Sequence, residues 1–302
     1  MTMQTDHPMD GFPVRPLVFD VKKVDPENLV WSRTSPWFSM FINALGLHVP
    51  YFERYLIRAL SKAKTHLDDP RLLRDVGAII GQEAHHAKNF MEFNQALVKR
   101  YPKLARYEAE AKAYFGQRAQ TDTLKELVGF TAGYETFTFL AGALVLQNHD
   151  KWFADADPVV KAMWIWHQVE EVEHGAAAYE VYQALFGKHT WYRRRMVIAA
   201  LMHIAGETHR AFVHMSWREG WWRNPFYGMA SVAFCWIMLA RFAWNALPVL
   251  RGNYHPHQHP IVTTEQNPIQ IAWRRFEKAG GNVLEIDHQK MAEMMGVAAP
   301  SA

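Results

Sequence analysis

Two short motifs, Glu83-x-x-His86 and Glu171-x-x-His174, each set a carboxylate and an imidazole one helical turn apart. On an α-helix, positions i and i+3 share a face, so the two side chains of each motif can converge on one ion. The spacing alone says little, because roughly one such match is expected by chance in a chain of this size and composition. A third match, Glu285/His288, lies in a polar tail and is taken as that accident. The first two have matching surroundings. Each is followed at the same offset by Gln-Ala-Leu, at 95–97 and 183–185. Each is preceded by a helical segment with a Glu among aromatics: Glu53 in PYFERYLIRAL and Glu135 in GYETFTFLAGAL. The separations are similar, 83 − 53 = 30 and 171 − 135 = 36.

The chain thus offers two helix pairs, each Glu followed by Glu-x-x-His. Four ionised carboxylates in an apolar interior repel one another and are badly solvated. Two cations neutralise them, carboxylates can bridge, and each His adds one nitrogen while coordination positions stay open. That inventory matches ferritin-like di-iron and di-manganese bundles. The expected metal ligands are Glu53, Glu83, His86, Glu135, Glu171 and His174. The expected cofactor is two divalent metal ions, iron ahead of manganese or zinc. The bland reading of Glu53 is a solvated pair with Arg54, and that of the EEVEH run is a charged helix face. His167, one turn before Glu171, is expected to orient or supplement the ligands. His203 and Glu207 are candidates to hydrogen-bond a ligand histidine, or simply to pair with each other. His85 and Glu173, a third of a turn away, belong beside the ligands or at the surface.

These side chains need long, rigid supports, and the pattern supplies them. Alternating Val/Ile/Thr runs are nearly absent, and helical periodicity dominates from Ser35 onward. Helices are expected at about 48–66, 70–101, 103–117, from a cap at Thr121 or Asp122, from Asp157-Pro158 to about Phe186, at 190–217, at 225–250 and near 267–279. The fold class is all-α: a ferritin-like four-helix bundle with additional apolar C-terminal helices. The expected organisation is an extended arm at 1–34, a helical domain at 35–252 that includes the apolar helices 190–250, and a polar tail at 253–302.

Composition narrows the rest. In 302 residues the formal net charge is +3, too small to imply a nucleic-acid partner. The single cysteine, Cys235, excludes an intramolecular disulfide framework and a cysteine-rich metal site. A cytoplasmic setting is the default expectation, and the first residues lack a secretory signal pattern. The run MASVAFCWIMLARFAW is apolar but stops short of the ~20 residues that span a bilayer. WYRRRM and WREGWWRNPFY mix Trp, Tyr and Arg as interfacial segments do. Peripheral membrane contact is therefore an option beside a buried pocket-lining role.

The sequence resembles a bacterial family of predicted metal-dependent hydrolases with a ferritin-like helical core. The resemblance is carried by YFERY, GQEAHHAKNF, GYETFTFL, VEEVEHGAAAYEVY and YHPHQHP, and covers about 35–265. It implies Glu53, Glu83, His86, Glu135, Glu171 and His174 as metal ligands. His257 stands where the family's aromatic residue is expected after the His-Pro pair.

Three functions compete. A carboxylate-rich site without Cys favours iron and O₂-dependent oxidation of an apolar, lipid-like substrate. The family label favours hydrolysis by a metal-activated water; no G-x-S-x-G elbow offers a metal-free route. Metal storage ranks last, since the aromatic helices at 190–250 have no purpose in a storage shell. The expected partners are a hydrophobic small molecule and no nucleic acid, with a homodimer as a further option.

Overall fold

The computed structural model describes residue 7, residues 9–262 and residues 266–296. The extreme ends of the expected arm and tail lie outside the described residues. Twelve α-helices follow in order: α1 (Pro36–Gly46), α2 (Val49–Lys64), α3 (Pro70–Arg100), α4 (Leu104–Thr121), α5 (Leu124–Gln147), the single turn α6 (His149–Trp152), α7 (Pro158–His174), α8 (Ala177–Phe186), α9 (Thr190–Arg218), α10 (Pro225–Asn245), α11 (Pro268–Lys278) and α12 (His288–Met295). Among the described residues there is no strand, and the fold is all-α.

Four helices start with the same device. Asp69-Pro70, Asp157-Pro158, Asn224-Pro225 and Asn267-Pro268 each place a side-chain acceptor on the first free N–H groups and a proline just inside the helix. The acceptor satisfies orphan donors, and the proline's missing N–H costs nothing there. α5 starts instead at Thr123, whose hydroxyl and Glu126 form a reciprocal capping box. That corrects the cap expected at Thr121 or Asp122: α4 runs on through Thr121 and leaves only two residues before α5.

α5 is the central rod. It packs on α2, α7, α8 and α9, so it is buried nearly all round. α2 packs on α3, and α3 touches α7, which closes a four-helix arrangement of α2, α3, α5 and α7. Two glycines permit the close approaches. A Cβ on Gly133 would lie 2.6 Å from the Met196 carbonyl oxygen of α9, and one on Gly142 would lie 2.9 Å from the Gln168 carbonyl oxygen of α7.

The long helix expected from Pro158 to Phe186 is divided. α7 ends at His174, and α8 starts at Ala177. The divide falls at Gly175, whose Cβ position is filled by the Phe139 ring at 2.8 Å. Before α1 the chain has no regular secondary structure among its described residues beyond one 3₁₀ turn at Val21–Lys23, and buries Phe12, Arg15, Phe19 and Trp31 against the helices.

Candidate metal centre

Glu53 from α2, Glu83 and His86 from α3, and His167, Glu171 and His174 from α7 meet at the centre of the four helices, all buried. Their donor atoms form two overlapping groups: Glu53, His86, His167 and Glu171, and Glu83, His86, Glu171 and His174. His86 Nδ1 lies 3.5 Å from Glu83, 3.6 Å from Glu171 and 3.9 Å from Glu53. His167 Nε2 lies 3.0 Å from Glu171 Oε1 and 3.6 Å from Glu53. His174 Nε2 lies 3.3 Å from Glu83 and 3.8 Å from Glu171 Oε2. Donors that each sit about 2.0–2.2 Å from one ion stand at similar separations.

The same atoms lack directed hydrogen bonds. Both oxygens of Glu53 and of Glu83, Glu171 Oε2, His86 Nδ1, His167 Nε2 and His174 Nε2 are buried without a hydrogen-bond partner among the described residues. Buried polar atoms left this way are costly. Their crowding around common centres is what a donor set for cations provides, so these residues fit a pair of divalent metal ions.

Protons register the same strain. Burial pushes Glu53 up to about 7 and Glu135 up to about 8, with neighbouring carboxylates adding to the shift. Burial would lower His174, yet Glu171, Glu135 and Glu83 hold it up at about 10. His86 is likewise raised against the effect of burial, by Glu170 and Glu83. Burial would raise Glu171, but the three imidazoles outweigh it and hold its carboxyl far below the usual range.

The other expected residues divide. Glu135 lies outside both groups: its Oε2 accepts from His174 Nδ1 at 2.8 Å, and its Oε1 accepts from Thr138 at 3.2 Å. His167, expected as a supplement, is a full member of the first group. His203 and Glu207 take neither of the expected roles, serving a cluster histidine or pairing with each other. His203 Nδ1 pairs with Tyr134 Oη at 2.9 Å, and Glu207 pairs with Arg210. Both sit on α9, which packs on another face of α5 and leaves the cluster to α2, α3 and α7.

The supporting hydrogen bonds come from elsewhere. His86 Nε2 donates to Glu170 Oε2 at 2.9 Å, and Glu170 Oε1 accepts from Arg15 at 3.0 Å. Arg15 also grips Glu173 through two nitrogens, at 2.7 and 2.9 Å. His167 Nδ1 pairs with the Gln168 amide at 2.8 Å. Glu170 was visible only as part of EEVEH, and Arg15 has no local signal. Its role depends on a contact 155 residues away in the chain.

One further residue escaped the sequence. His48, at the N-terminus of α2, is buried with both ring nitrogens unpartnered, and burial holds it well below the usual histidine range, so the ring is neutral. It lines a small cavity of about 30 Å³ with Ile42, Val49, Phe137 and Phe242, and the cavity reaches His167 and Gln168. The YHPHQHP segment forms a clasp outside the cluster. His257 Nε2 bonds Asp10 at 2.9 Å, and His255 Nε2 faces Glu180 at 3.3 Å.

A family model described as a predicted metal-dependent hydrolase matches residues 13–260. No curated protein and no solved structure matches the chain.

Proposed function

Given that the chain belongs to the predicted metal-dependent hydrolase family, we propose that it hydrolyses an ester or amide bond in a substrate with an apolar portion. The carrying observation is the buried cluster of three imidazoles and three carboxylates, most of whose inward atoms lack a hydrogen-bond partner among the described residues. In this reading Glu53, Glu83, His86, His167, Glu171 and His174 would hold the two ions. Glu171 belongs to both donor groups, with Oε1 toward His167 and Oε2 toward His174. His86 has a single nitrogen to give, since Nε2 is engaged by Glu170. Glu135 fixes the His174 ring through Nδ1, a carboxylate–histidine pair of the kind that orients metal ligands. Bound divalent ions supply a water of lowered pKa and polarise a carbonyl oxygen.

The chain's own groups complete the site. Phe137, Val49, Ile42 and Phe242 keep bulk water from the side of the cluster bounded by His167. The apolar part of the substrate seats there by displacing these side chains, because the free volume admits only a small group. Neutral His48 offers one donor and one acceptor nitrogen to the substrate's polar head.

A second reading, oxygen-dependent oxidation with iron, has one observation in its favour: a donor set rich in carboxylate and free of cysteine. Sequence alone ranks it first; membership of the family reverses the order. Turnover of a series of acyl esters, with metal content measured alongside, separates them. The hydrolase reading expects activity under nitrogen that a chelator removes and added metal restores. Activity that requires air, with a visible band bleached by reductant, would establish the second reading instead. Glu171→Ala should lose both ions, whereas Glu135→Ala should weaken metal affinity by about 10–100-fold without abolishing it.

A further inference from the structure

α10 is apolar on both sides. Its inner face buries Cys235, Met238, Leu239 and Phe242. Its outer face carries Phe226, Met229, Trp236, Ile237 and Trp244, with Phe226 79% and Trp244 74% exposed. α9 extends the surface with exposed Ile198 and Met202, and its His209 ring lies 5.3 Å from Trp236. A helix that is hydrophobic all round belongs in a core or in lipid, and large exposed residues grouped in this way mark an interaction site.

Charge identifies the occupant. Residues 190–251 hold eight Arg, no Lys and two Glu, a balance of 8 − 2 = +6 in a chain whose total is +3. Both Glu are already paired, Glu207 with Arg210 and Glu219 with Arg100. Arg194, Arg195 and Arg251 flank one end of the patch in sequence, and Arg218 and Arg223 the other. A two-fold dimer would set this surface against itself and bring like charges together. An anionic bilayer matches both features, with aromatics at headgroup depth and Arg against phosphate.

We propose that the α9–α10 face docks on an anionic phospholipid bilayer, with α10 lying in the plane of the interface. α10 is long and apolar enough to cross a membrane, but its buried inner face holds it on the bundle. The chain also returns to the bundle immediately after it, where Arg193 donates to the Arg251 carbonyl oxygen at 2.8 Å and Val249 is buried. Docking stands apart from the metal chemistry. Only the link to substrate rests on the hydrolase reading: Phe242, on the inner face, lines the cavity beside His167, one helix from the lipid.

Flotation of the full-length protein with phosphatidylcholine vesicles, with and without phosphatidylglycerol, tests this. The protein should float with the anionic vesicles and be released by high salt. Trp236→Glu/Ile237→Glu should cut the bound fraction by about tenfold or more while the thermal melt and metal content stay unchanged. Trp244→Glu, at a more exposed residue, is the second variant should the double one unfold. Arg194→Glu/Arg195→Glu should weaken binding to the anionic vesicles. Absence of flotation, equal binding to both vesicle types, or a soluble dimer that the double variant splits would each overturn the proposal.

Discussion

Glu53 and Glu135 hold protons near neutrality because burial opposes their charge, and His174 holds one because three carboxylates surround it. Each of these groups binds its proton more tightly when folded than its ordinary value allows. The folded, metal-free protein therefore carries more protons than the unfolded chain between about pH 5 and 8, and stability falls as pH rises through that window. Glu171 shifts the other way, but it is ionised in both states there and adds no slope. Cations compete for the same lone pairs, release those protons and bind more tightly at higher pH. Melting temperatures with and without added metal should thus diverge as pH is raised from about 5 to 8. A constant gap would mean the cations bind elsewhere.

At the scale of the helix, the approach of α5 to α9 is fixed by Gly133. Gly133→Ala drives a methyl into the Met196 carbonyl and should cost about 1–3 kcal/mol in denaturant unfolding. Gly206→Ala on α9 meets nothing within 4 Å and should instead stabilise by about 0.4–1 kcal/mol. Helices of this kind were legible because each reports itself locally. Asp-Pro starts, apolar periodicity and the paired Glu-x-x-His segments lie within a few turns of one another. From them follow the all-α class and the convergence of Glu53, Glu83, His86, Glu171 and His174. What was not legible depends on packing between distant segments. The divide after His174 falls where Phe139 packs over Gly175, and α12 is only eight residues long, too short for its periodicity to declare itself. Glu135 shares the pattern of Glu53, yet its carboxylate meets His174 from outside the two donor groups. The sense in which a carboxylate faces a histidine is decided by helix rotation, which spacing does not encode.

At the scale of the whole molecule, two of the polar contacts that hold the N-terminal arm are of unequal strength. At Arg15 the guanidinium is buried between Glu170 and Glu173, lies 5.1 Å from the Trp273 ring centre and approaches Glu277 at 3.5 Å. Glu173 has further support from Gln82 and Arg274, but among the described residues Glu170 is paired with Arg15 and His86 alone. Removing Arg15 strands buried carboxylates, a loss of about 3–5 kcal/mol, and frees the group that orients His86. At the other point Asp10 is exposed, and its bond to His257 is worth at most about 1 kcal/mol. Arg15→Met should therefore lower both unfolding free energy and metal affinity, whereas His257→Ala should change the first slightly and the second not at all. Urea titration with parallel metal binding reads both. Equal effects of the two substitutions would show that the arm acts as a cover, with no path from Arg15 through Glu170 to His86.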